Sequence, residues 1–389
     1  MTGGATPARA RRSVSTIFFV NGAVLASWVP HIPAVKAEHA IGDGALGLVL
    51  LSMAAGSVLA LTLAGWLVGR IGSRATTSMA AIALCVTLPL PVISPAIPLL
   101  ALSLVLLGAS NATLDVAMNA QAVLVEREYG RPIMSSFHGL FSLGGLAGAA
   151  LAGLAIGLGV PPACHVVASA AVALLAVGRA LRWLVPSDAA DASAAPVFAR
   201  PSGVLFGLGV LAFFGLLAEG AMADWSAVYL RDTLETTPAV AAAGFAAFSL
   251  AMAAGRFRGD CLVSLLGPGR LLGASGALAA FGLGGALLAG APAAAVAGCG
   301  LVGLGISNVI PVLFSAAGQV RGIQAGTALA AVATIGYLGL LAGPPLIGLT
   351  AHVTSLPVAL GLVSAFCAAI GVGGRALVPA VIPTRSAPS

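Results

Sequence analysis

Residues 98–124 read PLLALSLVLLGASNATLDVAMNAQAVL, an apolar run whose single charged side chain is Asp115. A hydrocarbon core of ~30 Å is crossed by ~20 apolar residues in a helix, so this stretch is long enough to span a bilayer. Asn111, Asp115 and Asn119 stand four apart and form one polar stripe on such a helix. A charged carboxylate near the bilayer centre costs a few kcal/mol even on lenient insertion scales, which demands a cavity or a partner in front of it. The run thus predicts both a membrane-spanning helix and a polar face inside the membrane.

The rest of the chain repeats the apolar pattern. Its 389 residues include 18 basic and 12 acidic ones, clumped between long runs of Leu, Ala, Val, Gly and Phe. We read twelve spanning runs, roughly 14–36, 45–69, 75–95, 98–124, 133–158, 163–184, 203–230, 238–262, 269–290, 292–317, 325–350 and 354–378. The expected class is an all-α membrane protein with two six-helix halves, 1–184 and 203–389, joined by a cytoplasmic linker over 185–202 that carries Pro186, Pro196 and Pro201. With the N-terminus placed in the cytoplasm, every basic residue except Lys36 and Arg231 falls on the cytoplasmic side, as the positive-inside rule requires. This sorting counts Arg256 and Arg258 as cytoplasmic charges. An error in the helix count would have scrambled the split from that point on.

The net charge of +6 is therefore a product of topology. The basic residues are dispersed and lack interleaved aromatics, which gives no footprint for nucleic acid. The polar start with Arg11 and Arg12 is followed by an apolar run too long for a signal-peptide core, so it reads as a retained first helix. Cys85, Cys164, Cys261, Cys299 and Cys367 have neither metal spacing nor a disulfide pattern and read as small core residues.

The halves resemble each other at an offset of 195 to 197 residues. Gly108-x-Ser110-Asn111 falls on Gly305-x-Ser307-Asn308 at 197; Gly144, Gly148 and Gly153 fall on Gly339, Gly343 and Gly348 at 195, as do Leu67-Val68 and Gly72 on Leu262-Val263 and Gly267. A six-plus-six parallel repeat is a layout of secondary transporters whose halves rock about a site near the midplane.

With Gly65, Gly69, Arg70, Gly72, Ser73 and Arg74 after the second span, the chain resembles the major facilitator superfamily over essentially its whole length. Gly69 and, in the second copy, Ser264 replace the family's acidic residue. The resemblance still implies a cytoplasmic gate, here Arg70, Arg74 and Asp260. Leu114-Asp115-Val116-Ala117-Met118-Asn119, followed by Ser136-Phe137-His138-Gly139, is similar to the fucose-permease branch. That likeness implies that Asp115 is the proton-titrating carboxylate. His138 falls where the branch tends to carry glutamine, and Phe141 where it has a sugar-binding asparagine, so a hexose substrate is not implied.

Other intramembrane polar groups widen the list. Glu219 is the rival proton carrier on the seventh span, and Asp224, five residues on, points to a different face. His138, about one turn into the fifth span, has a side chain that titrates near neutrality and suits a relay or gate. Asn21 and Trp28 share a face of the first span; with Asn111, Asn119, Asp224, Asn308 and Tyr337 they are the candidates for a substrate cavity. Pro30-His31-x-Pro33 should break the first helix near its outer end, leaving His31, like His352, in a loop.

No P-loop, zinc spacing or serine elbow points to an enzyme, and no cofactor or metal is expected. The sequence predicts a proton-coupled secondary transporter of a small polar solute in the cytoplasmic (inner) membrane, with both termini cytoplasmic and a monomeric working unit. Its partners are the solute, a proton and the lipid bilayer. A symporter is favoured over a proton/drug antiporter because Gly144-x-x-x-Gly148 is followed by Ala149, although Gly339-x-x-x-Gly343 is followed by Pro344. A non-transporting sensor on the same fold is the alternative of another class.

Overall fold

The computed structural model describes residues 6–41, 43–186 and 203–381, and among them there is no strand. The linker expected over 185–202 lies outside the described residues from 187 onward. Helix α1 is Pro7–Trp28. Asp43–Thr87 is interrupted at Gly72, which divides it into α2 (43–71) and α3 (73–87). Then follow α4 (Ile97–Tyr129), α5 (Met134–Gly157), α6 (Pro162–Ala180), α7 (Val204–Val228), α8 (Pro238–Leu266) and α9 (Pro268–Ala289). α10 comprises Pro292–Ile306 and Val309–Ala317; α11 is Ala325–Val353 and α12 is Leu356–Val381.

Local chemistry sets these ends. α1, α4, α6, α8, α9 and α10 open with proline in the first turn, where its missing N–H costs nothing. Gly130 and Gly290 close α4 and α9 in the left-handed conformation. Ten of the described helices are long and apolar enough to cross a membrane. The two spans outside that set are α2, where the apolar helix Leu48–Leu61 is shorter, and α8, which holds Arg256, Arg258 and Asp260 in its second half.

Three expectations are corrected. The first span does not run to residue 36: α1 stops at Trp28, a 3-10 turn covers Val29–His31, and Ile32–Glu38 restarts as a short helix, because Pro30 and Pro33 cannot continue the ladder. His31 is therefore a buried turn residue, not a loop residue, at 1% exposure. Of the cysteines, Cys85, Cys299 and Cys367 are buried, but Cys164 and Cys261 are exposed.

The described residues group into two compact units. Unit one holds Met1–Gly130, Phe137–Ala199 and Gln324–Ala330; unit two holds Arg131–Ser136, Arg200–Ile323 and Ala331–Ser389. In unit one Arg9 lies 4.6 Å over the Trp183 ring and Arg11 5.2 Å over Tyr129, which puts the start of α1 at the same end as the tails of α4 and α6.

Glycines set the closest helix contacts in both units. A Cβ on Gly22 would strike the carbonyl oxygen of Phe141, and one on Gly144 or Gly148 that of Phe19 or Ala23, so α1 and α5 meet backbone to backbone. In unit two Gly339 of α11 meets Phe213 O of α7 in the same way. Gly108 of α4 meets Met53 O of α2, and Gly303 of α10 meets Phe248 O of α8. Both partners of this last pair differ by 195 residues, so the packing register of α4 and α10 follows 195, not the 197 that matches Gly108 to Gly305. The backbone repeats too: Gly72 has φ 83°, ψ 155° and Gly267 has φ 77°, ψ 155°, a region that only glycine enters without strain.

Candidate functional site

In unit one the polar stripe of α4 joins α5. The helix runs on to Tyr129, so Asp115 stands only two residues past its midpoint, about 3 Å along the axis. Asn119 Nδ2 donates to Asp115 Oδ1 at 3.1 Å and to the Asp115 carbonyl at 2.8 Å. The same amide's Oδ1 lies 3.2 Å from His138 Nε2, and since it must accept, the imidazole holds its hydrogen on Nε2. Asn119 is fully buried, His138 is buried, and Asp115 is half-buried. Phe18 of α1 meets His138 edge-on at 5.3 Å and stacks on Phe137 at 5.5 Å, which fixes the ring from its other side.

Beside this chain lie two amides with buried, unsatisfied oxygens. Asn21 donates weakly to Met118 Sδ at 3.6 Å, and no partner for Asn21 Oδ1 or Asn111 Oδ1 occurs among the described residues. Buried acceptors of this kind cost about 1–3 kcal/mol each unless a water or ligand supplies a donor. Trp28 is 3% exposed, packed at the end of α1.

Unit two carries a second cluster. Arg256 of α8, at 7% exposure, sets its Nη2 3.5 Å from Glu219 Oε2 of α7, and its Nε donates to the Ser307 carbonyl at 3.4 Å. Glu219 and Arg256 both lie within about 6 Å of the midpoints of their helices. The accepting carbonyl belongs to the break in α10, where Asn308 takes φ −104°, ψ 3°. Asn308 Nδ2 donates to the Gly255 carbonyl at 3.1 Å and to Ser307 Oγ at 3.0 Å, pinning the break against α8. Its Oδ1 sits against Gly259, where a Cβ would collide with it.

Near the tail of α8, the Asp260 carboxylate accepts from Ser135 N at 2.8 Å and Ser136 N at 3.1 Å, in the first turn of α5. Arg70 is exposed with its guanidinium 5.4 Å over Trp66, and Arg74 is half-buried. Asp224 is exposed, and Tyr337 of α11 is half-buried.

The structure brings together Asp115, Asn119 and His138, and separately Glu219 with Arg256. Three groups escaped the sequence reading. Arg256 was counted as a cytoplasmic charge because it stands close to Arg258 and Asp260; an arginine inside an unbroken apolar helix was the available signal. His31 Nε2 and His165 Nδ1 lie 2.8 Å apart, both buried, joining the end of α1 to the start of α6, and no local pattern pairs them. Gln121, fully buried, donates to Ser73 Oγ at 2.8 Å and exchanges bonds with Val185, tying α4 to the chain beyond α6.

Helices with paired glycine crossings, a repeated backbone kink and charged groups at mid-helix define a polytopic membrane transporter built from an internal repeat. The chain belongs to the Major Facilitator Superfamily, whose family profile matches residues 14–344. It is 39% identical over 365 residues to an uncharacterised MFS-type transporter of Yersinia pestis, covering 94% of this chain and 95% of that one. It is 36% identical over 364 residues to the membrane protein MosC of Rhizobium meliloti, covering 92% and 87%. Among solved structures it is similar to the transporter FucP in its outward conformation, with a TM-score of 0.78 at 16% identity over 94% of this chain and 98% of that one. The proton:xylose symporter XylE gives 0.73 at 13% identity over 96% and 97%. The expected fold is thereby met: an all-α, two-half transporter fold, and a transporter, not an enzyme.

Proposed function

We propose that this protein is a proton-coupled symporter of a small polar solute, working by alternating access in the cytoplasmic membrane as a monomer with both termini inside. The observation that carries the reading is the Asp115–Asn119–His138 chain. A carboxylate at mid-helix is expensive when charged, and one amide links it to an imidazole, a side chain able to take up and release a proton. Gain of a proton at Asp115 weakens the acceptor that Asn119 donates to, and the polarised amide passes that change to His138. The orphan oxygens of Asn21 and Asn111 supply acceptors for the hydroxyl or amine hydrogens of a polar solute. The fucose:proton symporter FucP and the proton:xylose symporter XylE have this fold, so the architecture accommodates the coupling. Asp260, which holds the first turn of α5, is proposed as a cytoplasmic gate residue of unit two, and Arg70 and Arg74 of the α2–α3 turn as gate residues of unit one.

The test compares Asp115→Asn with Glu219→Gln in proteoliposomes. Asp115→Asn keeps shape and removes titration, so proton-driven accumulation should vanish while solute exchange persists. Intact accumulation by Asp115→Asn together with its loss in Glu219→Gln moves the proton site to α7. Accumulation by both variants removes proton coupling from the mechanism.

A further inference from the structure

We infer that His31 and His165 form a second proton-binding site, separate from the Asp115–Asn119–His138 chain, which latches the end of α1 to the start of α6 and opens in acid.

Placement comes first. Within unit one α1 and α6 run antiparallel and are pinned at both ends: Arg9 lies over Trp183 where α1 starts, and His31 meets His165 where it stops. Between the two pins α1 rests backbone to backbone on α5 at Gly22. The first pin keeps its charge, since a guanidinium does not deprotonate in proteins. The second is made of imidazoles, the side chains whose charge ordinarily changes between about pH 5 and 8. Pro30 and Pro33 put His31 in the turn Val29–His31, after which the chain restarts as the short helix Ile32–Glu38. That short helix is not a continuation of α1, and the histidine contact ties the turn before it to α6.

Proton counting then sets the behaviour. His31 Nε2 and His165 Nδ1 are 2.8 Å apart, with ring centroids at 5.0 Å, and both side chains are buried. At that distance one nitrogen donates and the other accepts, so only one of the two facing positions carries a hydrogen. Two imidazolium rings would turn two N–H groups and two positive charges on each other, which breaks the contact. A single added proton has one partnered place, His165 Nε2, 3.3 Å from Ser169 Oγ; His31 Nδ1 is buried with no partner among the described residues. The closed pair thus holds at most one added proton, whereas two separated rings hold one each. Opening takes up at least one proton below the ordinary imidazole pKa of about 6.5, so the latch is intact above that pH and its open fraction grows about tenfold or more for each pH unit below it. Titratable groups on the adjoining segments are Lys36, Glu38 and His39 after the turn and Cys164 beside His165; α1 after Arg12, Leu48–Leu61 of α2, residues 88–107 and residues 139–161 hold none. Glu38, the acid in that set, is exposed, and among the described residues the group whose charge acts on His31 is His165. In the proposed orientation this end of unit one faces the outer medium.

The test is amide hydrogen exchange of the full-length purified protein at about one pH unit above, at and below the ordinary imidazole pKa, with rates corrected for the intrinsic pH dependence of exchange. Amides over residues 29–38 should quicken about tenfold or more across the lower step, while those beside Arg9 and Arg11 at the other end of α1 keep their protection. His31→Gln combined with His165→Gln leaves two side chains that can hydrogen-bond and cannot titrate, and should flatten the response. His165→Gln alone, in which the remaining ring can charge beside a neutral amide, should flatten it too and serves if the double variant folds poorly. A wild-type protein with no acid response over 29–38, or a response as steep in either variant, overturns the inference and leaves the histidines a packing contact. Equal quickening along the whole of α1 also overturns it, since acid then loosens the helix and not the latch. No transport is measured, so these outcomes are independent of the Asp115→Asn experiment.

Discussion

A single amide, Asn119, is the residue on which the unit-one site turns. It donates to Asp115 and accepts from His138, so both neighbours keep their geometry through it. Asn119→Ala leaves a buried imidazole hydrogen and a carboxylate without that partner, and should lower stability by about 1–3 kcal/mol. The same variant should retain solute exchange but lose the response of uptake to an imposed pH gradient; an unchanged response would reduce Asn119 to packing. The halves use different chemistry at this scale. Unit one sets a carboxylate beside an amide and an imidazole, whereas unit two sets a carboxylate against a guanidinium.

Between helices, the deciding contacts are those where no side chain fits. Gly144 lies directly against the Phe19 carbonyl, and its repeat partner Gly339 against Phe213. Leucine at position 144 forces α1 and α5 apart, and overpacking of this kind typically costs about 1–3 kcal/mol. We expect Gly144→Leu protein that still inserts into the membrane to lose transport more than tenfold. Wild-type uptake by such protein at equal abundance would show that the close crossing is dispensable. The broken α10 works differently: Asn308 pins the interruption to the Gly255 carbonyl, and the Ser307 carbonyl, whose donor four residues on is replaced by Pro311, accepts from Arg256 Nε.

For the whole molecule, the proposed orientation rests on the arginine distribution. Cysteines introduced at Ser193, outside the described residues, and at Thr237, the cap of α8, should be modified from opposite sides of intact cells. Labelling of both from one side would overturn the twelve-span topology. The cation–π contacts of Arg9 and Arg11 bring the start of α1 to the tails of α4 and α6 in unit one.

The sequence by itself determined the class. Apolar runs of membrane-spanning length follow from the solvent, since a bilayer leaves few ways to satisfy a backbone. It also determined that Asp115 and Asn119 share a helical face, because four residues make about one turn. The joining of Asn119 to His138, of Arg256 to Glu219 and Ser307, and of His31 to His165 was decided only by the tertiary structure. These partners lie 19 to 134 residues apart along the chain. Side-chain periodicity places a residue on a face of its own helix; which neighbour that face meets depends on how the helices cross, and here the crossings are set by glycine contacts with backbone atoms of distant segments.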